Sequence, residues 1–396
     1  MAEPAEYVDV AVVGLGALGS AAAWQLARRG RSVVGFERHA AGHRLGASHG
    51  DSRIIRLSYH TPAYVRAAAR AYAGWAELER EAGERLVTRT GGVDVFPDGA
   101  AIDLLSYTTS LDAAGVGYDI LDAAGSAGRW PGLAVPDGAL VLHQDATGIV
   151  AADRAAAALR RRALAHGAVL HERTPVTGLR AAADGVEVTT TGGDAIRAGH
   201  VVVAADAWTN DVLAMLGAEP LPLTVTQEHV VHFAVEPGGH DPDRFPVWIW
   251  MDDPSYYGFP TFGEATVKVG RDCGGREVDP DEYRDGARVP DQAYVDDLTV
   301  FVRRTVPGAG PVVRVTPCLY TLTPDRDFVL GPLPGDDRVL VALGAAHGFK
   351  FAPWFGEVLA DLVTGAAPAS PTEDYAVGRE RLRAPATTAA ERSWLV

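Results

Sequence analysis

The sequence predicts an α/β fold in which a Rossmann-type domain is interrupted by a second, mostly antiparallel β-sheet domain. Residues 7–37 have the pattern of a strand, a glycine-rich turn, a helix and a second strand that ends in an acid. Residues 222–270 alternate apolar and polar side chains between glycines and prolines, which is typical of antiparallel strands. Residues 337–365 return to a strand, a glycine turn and a helix, so α/β segments bracket the β-rich one.

The first strand is the β-rich run Tyr7–Val13, and the sequence GLGALG follows it directly. Gly14, Gly16 and Gly19 have the G-x-G-x-x-G spacing, which allows a tight turn and a close approach to a pyrophosphate at a helix N-terminus. Glu37 ends the second strand, where a carboxylate can accept hydrogen bonds from ribose hydroxyls. In this context the motif predicts a dinucleotide site, but it does not distinguish NAD from FAD.

The remaining elements follow from periodicity and from glycine and proline punctuation. The Ala-rich segment 63–83 predicts a helix, and residues 90–99 predict a strand. Residues 153–180 predict a helix and then a strand, and HVVVAADAW at 200–208 predicts a buried strand. We expect two discontinuous domains, a nucleotide-binding domain of residues 1–84, 151–217 and 321–390 and a substrate domain of residues 85–150 and 218–320.

The composition narrows the class of protein and of partner. A formal net charge of −15 argues against nucleic acid and anionic membrane surfaces as partners. The two cysteines, Cys273 and Cys318, cannot form a disulfide framework, so a reduced, cytoplasmic setting is expected. The N-terminus lacks the basic segment of a signal peptide, and no apolar run approaches the ~18 residues of a membrane-spanning helix. No metal site is predicted.

Several specific motifs are distributed along almost the whole chain. In order, they are GLGALGS, the pair Glu37-Arg38, SHGDSRIIRLSY, HVVVAADAW, YYGFPTFGEATVKVG, TPCLYTLTPD and HGFKF. With these motifs the chain resembles the monomeric sarcosine oxidase and N-methyltryptophan oxidase group of the D-amino-acid-oxidase-like flavoproteins. The resemblance implies a glutathione-reductase-like architecture, bound FAD, and oxidation of the C–N bond of a secondary amino acid with dioxygen as acceptor. It also implies that the protein is a monomer whose partners are a small amino acid and dioxygen.

The resemblance gives Cys318, in the segment PCLYT, a specific role. It implies that this cysteine carries the flavin through a covalent thioether to the 8-methyl group of the ring. A thiolate is a strong carbon nucleophile, which is consistent with that bond. Without the resemblance, the residue alone favours a buried structural thiol.

The resemblance assigns Arg56 and Lys350 to a clamp for the substrate carboxylate. A guanidinium can bind a carboxylate with two hydrogen bonds, and an ammonium adds charge. The resemblance also places Arg53 at the flavin ring and makes Lys268, in ATVKVG, the lysine that activates oxygen. Taken alone, Arg56 fits a solvated strand end, Arg53 a structural ion pair and Lys268 an exposed strand lysine.

Two tyrosines and a histidine complete the implied site. Tyr257 and Tyr320 correspond to active-site tyrosines, which pack on a substrate and orient a polar group. His347 precedes a helix whose N-terminus could stabilise negative charge at one edge of the flavin, although a lone histidine is more often structural. The full set of implied cofactor-binding residues is Gly14, Gly16, Ala17, Leu18, Gly19, Glu37, Arg38, Ser48, Arg53, Val176, Trp208, Cys318, His347, Gly348, Phe349 and Lys350.

Three residues depart from the pattern of the group. Asp272 stands where sarcosine-type members carry a histidine, and Asp206 and Ala346 stand where glycines are usual. A carboxylate of Asp272 that faced the pocket would add negative charge there and favour an ammonium or act as a base. Alternatively, Asp272 pairs with the neighbouring Arg271 at the surface. If Asp272 faces the pocket, we expect a bulkier or cyclic amino acid rather than sarcosine as substrate.

Other functions are compatible with parts of the sequence. A dehydrogenase with another electron acceptor would keep the flavin site, but it has no need for Lys268. A nicotinamide-dependent reductase would explain the Rossmann motif alone. A non-catalytic flavin-binding protein is disfavoured because Arg56, Lys268 and Lys350 occur together.

Overall fold

The computed structural model describes residues 6–283 and 289–384. The predicted segments at 1–5, 284–288 and 385–390 therefore lie outside the described residues. Within the described ranges the strands are β1 (Glu6–Val13), β2 (Val33–Phe36), β3 (Ser52–Ile55), β4 (Val87–Arg89), β5 (Gly92–Phe96), β6 (Asp119–Asp122), β7 (Leu140–Gln144), β8 (Gly148–Ala151), β9 (Val169–His171), β10 (Val176–Ala182), β11 (Gly185–Thr190), β12 (Ala195–Val203), β13 (Thr224–Ala234), β14 (Val247–Trp250), β15 (Ser255–Phe259), β16 (Thr266–Asp272), β17 (Arg276–Glu277), β18 (Val312–Leu322), β19 (Val329–Leu333) and β20 (Asp336–Leu343).

The helices lie between these strands and cover the sheets. They are α1 (Ala17–Arg28), α2 (Pro62–Ala82), α3 (Leu104–Ala113), α4 (Ala123–Arg129), α5 (Ala152–Ala165), α6 (Thr209–Ala214), α7 (Gln292–Thr305), α8 (Ala352–Thr364) and α9 (Glu380–Arg383), with 3₁₀ turns at Asp206–Trp208, Gly348–Phe351 and Glu373–Tyr375. Among the described residues, no helix combines the length and apolarity that crossing a bilayer requires.

The first sheet has a parallel core in the order β20, β12, β1, β2, β9. The antiparallel hairpin β10–β11 extends it beside the first half of β12. Apolar runs fill β1 and the second half of β12 because helices cover both faces of a parallel sheet. Helix α1 begins directly after the glycine turn, so its N-terminus lies at the carboxyl edge of the sheet. The predicted Rossmann-type arrangement is confirmed.

The second sheet is mostly antiparallel, in the order β17, β13, β16, β15, β14, β5, β7, β6, and β18 also pairs with β13. Only the β14–β5 pair is parallel among its described pairings. Helix α7 packs on one face, where Phe301 stacks on Tyr256 with ring centroids 3.8 Å apart. The predicted α/β class with an antiparallel second sheet is confirmed, whereas the exact domain boundaries remain a prediction.

A third sheet of three short antiparallel strands, β3–β8–β4, was not predicted from the sequence. It joins residues that are distant in the chain, since Arg53 on β3 lies opposite Val150 on β8. Strand β3 and the residues that follow it therefore have a fixed position beside the two larger sheets.

Helices α1 and α8 cross at very short distance. Gly356 on α8 faces the backbone of α1, and a Cβ atom there would lie 2.5 Å from the carbonyl oxygen of Ala21. Because this oxygen belongs to a helix backbone, it cannot move aside as a flexible side chain can. The contact holds α8 against the helix that follows the glycine turn.

We expect Gly356→Ala to destabilise the protein by about 1–3 kcal/mol, the usual effect of overpacking a core. Gly128 in α4 is a matched helical control, because a Cβ atom there would meet no other atom within 4 Å. Gly128→Ala should be neutral or slightly stabilising, since alanine has the higher helix propensity. Thermal and urea unfolding of both variants measures the difference. Equal stability of the two variants would contradict the close packing of α1 and α8.

Candidate active site

The glycine turn between β1 and α1 has a backbone that only glycine fits. Gly14 has φ +92°, and a Cβ atom there would lie 2.5 Å from the carbonyl oxygen of Ala204. A Cβ atom on Gly19 would lie 1.9 Å from the oxygen of Gly14. Glu37 is buried beside this turn and accepts hydrogen bonds from the N–H groups of Leu15 and His39. These contacts fix a carboxylate next to the start of α1.

A cavity of about 810 Å³ opens around this turn. Predicted cofactor residues line it: Gly14, Gly16, Glu37, Arg38, Ser48, Val176 and Trp208. Arg38 lies over the Trp208 ring, with its guanidinium carbon 5.1 Å from the ring centroid. Burial raises the pKa of Glu37, but hydrogen bonds from His43 and the backbone outweigh it and leave this pKa below its usual value. The ionised carboxylate is therefore available as an acceptor.

A second cavity of about 190 Å³ adjoins the first and shares Gly16, Ser48 and Asp206 with it. It contains the other predicted cofactor residues except Gly19, which packs under the turn. Those residues are Ala17, Leu18, Arg53, Cys318, His347, Gly348, Phe349 and Lys350. A glycine cradle, an ionised acid at the end of β2 and two continuous cavities fit an extended dinucleotide such as FAD.

The second cavity also contains every predicted catalytic residue: Arg56, Tyr257, Lys268, Asp272, Tyr320, His347 and Lys350. Most of them come from one face of the antiparallel sheet, because alternate residues of a strand point to the same side. The cavity face of β18 includes Arg314, Thr316, Cys318 and Tyr320. The residues between those on the cavity face pack away from it, as Val267 and Val269 of β16 do against α7.

Lys268 is buried rather than exposed, with 7% of its surface accessible. Its Nζ donates a hydrogen bond to the carbonyl oxygen of Ser52 at 2.7 Å and lies 4.0 Å from the centroid of the Phe259 ring. Burial, and to a lesser degree Arg53, lower the pKa of Lys268 well below its usual value. The ordinary strand-lysine alternative is therefore wrong for this position.

Arg56 is fully enclosed and pairs with Asp94, which sequence reasoning missed. Nη1 of Arg56 lies 3.3 Å from Oδ1 of Asp94, and its guanidinium lies over the Tyr59 ring. Nε and Nη2 of Arg56 have no hydrogen-bond partner among the described residues. Burial raises the pKa of Asp94, while Arg56 opposes this rise. An acid inside the apolar strand GVDVF was the signal that could have revealed it.

Lys350 lies close to Arg56, since both cations contact the Tyr59 ring. Nζ of Lys350 donates to the carbonyl oxygen of His347 at 3.2 Å. Burial and the charge of Arg56 lower the pKa of Lys350 to about 7. His347 contacts the carbonyl oxygen of Arg326 through Nε2 at 3.1 Å, and burial lowers its pKa well below the usual value.

Tyr257 and Tyr320 meet in the cavity, with their hydroxyl oxygens 3.2 Å apart. Gly270 makes this position possible, because a Cβ atom there would lie 2.5 Å from the Tyr257 ring. Burial raises the pKa of both phenols, so both hydroxyl groups stay protonated and can donate hydrogen bonds.

Asp272 faces the cavity and does not pair with Arg271. Arg271 binds Asp297 at 3.0 Å instead, so the surface-pair alternative is wrong. Asp272 pairs with Arg326, at 2.9 Å between Oδ2 and Nη2, and only 14% of its side chain is exposed. Arg326 neutralises the added negative charge that the sequence led us to expect in the pocket. Cys273 also lies in this cluster, with Sγ 3.7 Å from Oδ1 of Asp272.

The two residues that stand in place of glycines both adopt left-handed backbone. Asp206 has φ +49° and Ala346 has φ +72°. This region of conformational space costs a non-glycine residue roughly 1–2 kcal/mol. Asp206 lies where the two cavities meet, and burial raises its pKa to about 6.

We expect Asp206→Asn to stabilise the folded protein at pH 8 and to have little effect at pH 4. The folded-state pKa of Asp206 lies above its unfolded value, so its contribution to stability is present below about pH 4 and lost as the pH rises through about 6. Asparagine removes this loss and tolerates left-handed backbone. The gain at pH 8 should be at most about 3 kcal/mol.

Thermal unfolding of both proteins at the two pH values measures this effect. Asp145→Asn is the control, because 90% of the Asp145 side chain is exposed. An equal change of the melting temperature at both pH values would contradict the effect.

Comparison with known proteins identifies the family. The family described as DAO, FAD dependent oxidoreductase, matches residues 9–362. Monomeric sarcosine oxidase of Bacillus sp. (strain NS-129) is 31% identical over 95% of this chain and 98% of its own length. N-methyl-L-tryptophan oxidase of Citrobacter koseri is 30% identical over 94% of this chain and 98% of its own length.

A solved structure of NikD, an unusual amino acid oxidase essential for nikkomycin biosynthesis, superposes with a TM-score of 0.81. It is 30% identical and covers 94% of this chain and 97% of that one. The family predicted from the sequence motifs is confirmed. The chain belongs to the DAO family of FAD dependent oxidoreductases.

Proposed function

We propose that this chain is an FAD-dependent oxidase of a secondary amino acid, N-methylated or cyclic, that forms an imine and passes two electrons to dioxygen. The observation that carries the proposal is the convergence of Arg56, Lys350 and Lys268 with Cys318 in one cavity. Relatives named for sarcosine and N-methyl-L-tryptophan oxidation support the same chemistry. The scarcity of cysteine favours the cytoplasm, and we propose a monomer by similarity to monomeric sarcosine oxidase.

The substrate carboxylate binds between Arg56 and Lys350 in this proposal. Two buried donor nitrogens of Arg56 have no partner among the described residues, and a carboxylate would satisfy both. Its charge would also favour the protonated form of Lys350, whose pKa of about 7 leaves the ammonium only partly populated near neutral pH. Tyr257 and Tyr320 can then donate hydrogen bonds to the bound amino acid and orient it.

The residues of the two cavities would hold FAD, which supplies the two-electron chemistry at the C–N bond when bound. The glycine turn and Glu37 would bind the pyrophosphate and the ribose. Cys318 would form the covalent link. Burial raises the pKa of Cys318 to about 11, while Arg53 and Lys268 oppose this rise and so favour the thiolate.

The amine side of the substrate would meet Asp272 and its partner Arg326. Because the two charges cancel, the pair offers an acceptor for an amine N–H without adding net charge. Asp272 brings a hydrogen-bonding carboxylate to the wall of the cavity. We therefore propose a substrate with more polar atoms than sarcosine.

Lys268 would serve the electron acceptor rather than the substrate. It lies on β16, where Phe259 and the Ser52 carbonyl hold it in place. An ammonium in a site with little water stabilises negative charge as dioxygen is reduced.

The covalent link predicts that wild-type protein stays yellow after acid denaturation and washing. Cys318→Ser should release its flavin under the same conditions, because an alcohol is a far weaker nucleophile than a thiolate. Mass spectrometry of the intact chains gives a second measurement, and Cys273→Ser is the matched control that should keep the link. Free FAD released from denatured wild type would contradict the assignment.

The oxidase activity predicts peroxide formation from at least one secondary amino acid in a coupled screen of sarcosine, N-methyl aromatic amino acids, proline and pipecolate. Lys268→Met should slow reoxidation of the reduced protein by about 10²–10³-fold, because it removes the amine that can carry positive charge beside the reduced acceptor. Anaerobic reduction by the best substrate should change much less. Rapid flavin reduction without peroxide in wild type would instead favour a dehydrogenase.

A further inference from the structure

A row of three basic side chains crosses the antiparallel sheet at Lys268. His232 on β13 lies directly opposite Lys268 on β16 and directly opposite Arg314 on β18. Side chains that face each other across antiparallel strands project from the same face, with Cβ atoms about 4.5–5.5 Å apart. All three line the cavity that contains Cys318. The row runs from the buried Lys268 to Arg314, whose side chain is 43% exposed.

His232 connects this row to solvent through Glu264. Its Nδ1 lies 2.8 Å from Oε1 of Glu264, whose side chain is 37% exposed. Arg314 binds the same carboxylate at 2.6 Å, and its Nη2 lies 3.3 Å from each nitrogen of the imidazole. His232 itself is only 6% exposed. An acid at the surface, a buried imidazole and a buried amine therefore follow one another inward.

Burial and the surrounding charges lower the pKa of both buried groups, so each holds a proton less tightly than it would in water. Burial and the charge of Arg314 lower the pKa of His232 to about 4. The charged groups that act on His232 are Arg314, Lys268, Glu264 and Asp51. The pKa of Lys268 is also lowered, and the groups that act on it are Arg53, Asp51, Cys318 and Arg314. A neutral imidazole can accept a proton at one nitrogen and donate one from the other, so it can relay protons at neutral pH.

The proposed reaction needs a proton beside Lys268, where dioxygen would be reduced. Its balance is R₂CH–NHR′ + O₂ → R₂C=NR′ + H₂O₂, in which the C–H electron pair reaches dioxygen through bound FAD. The amine proton leaves on the substrate side, near Asp272. Neutral peroxide contains two hydrogens besides the transferred electrons. The C–H hydrogen of the substrate accounts for one of them, so one proton must enter on the acceptor side for each turnover.

We propose that Glu264 and His232 form a proton path from solvent to Lys268, and that Lys268 receives a proton through it when negative charge forms beside it. This inference rests on the proposed oxidase function. The last step crosses one cross-strand pair, directly or through one bridging water molecule. His232 is a positioning and relay residue here, since it acts through Lys268.

The test uses holoenzyme that has been reduced photochemically, so it requires no substrate. Reduced protein is mixed with dioxygen in a weakly buffered solution with a pH-indicator dye, and absorbance reports flavin reoxidation and proton uptake separately. His232→Gln should slow both phases by at least about 10-fold, because acid–base groups contribute about 10²–10⁴-fold. Added imidazole should restore part of the rate, and the solvent deuterium isotope effect should rise. Glu264→Gln should also slow proton uptake.

His229→Gln is the matched control. His229 lies three residues from His232 on β13, and burial lowers its pKa to about 4 as well. It lies on the opposite face of the strand, where its Nε2 accepts a hydrogen bond from the backbone N–H of Asp291. This variant should keep wild-type rates of both phases. An unchanged proton-uptake rate in His232→Gln, or a slowed rate with no imidazole rescue and no change of isotope effect, would overturn the path. Reoxidation of wild type no faster than that of Lys268→Met would overturn the oxidase function and the path with it.

Discussion

The alternation of side chains along β13, β16 and β18 is the constraint on which the site depends. One face of β13 and β16 packs on α7 through apolar residues, including Val267 and Val269. The other face is thereby forced toward the carboxyl edge of the parallel sheet, where the glycine turn lies. A register shift of one residue would bury Lys268 against α7 and turn an apolar side chain into the cavity. The apolar core of the second sheet therefore fixes the chemistry of its opposite face.

Buried charges in this cavity are held in two different ways. Arg56 and Asp272 each have an opposite charge within 3.3 Å, Asp94 and Arg326 respectively. Such pairs recover part of the desolvation cost, and removal of one partner leaves an uncompensated charge that costs about 3–5 kcal/mol. Lys268 instead relies on a carbonyl oxygen and an aromatic ring. Without a carboxylate partner in an ion pair among the described residues, its charge can respond to negative charge that arrives from outside the chain.

The local features of the site could be predicted from the sequence. The glycine turn, Glu37, Cys318 and HGFKF are short contiguous motifs whose backbone or side-chain chemistry is set within a few residues. The α/β class also followed from local periodicity. In contrast, Asp94, Arg326 and His232 were not singled out, because each gains its importance only from a partner 38 or more residues away or on a neighbouring strand. Such pairings follow from sheet order, which periodicity does not specify.

The cavity has basic groups whose charge the protein does not fully neutralise, which suggests that bound ligands supply the missing negative charge. Lys350 and Lys268 both have lowered pKa values because burial outweighs the opposing carboxylates. Two donors of Arg56 are likewise left without a described partner. In the proposed function, a dinucleotide would bring phosphate charge to the glycine turn, an amino acid would bring a carboxylate to Arg56, and reduction of an acceptor would create negative charge at Lys268. In this proposal Lys350 and Lys268 would gain their counter-charges from a ligand or a reaction step, whereas Arg56 has Asp94 as a partner within the fold.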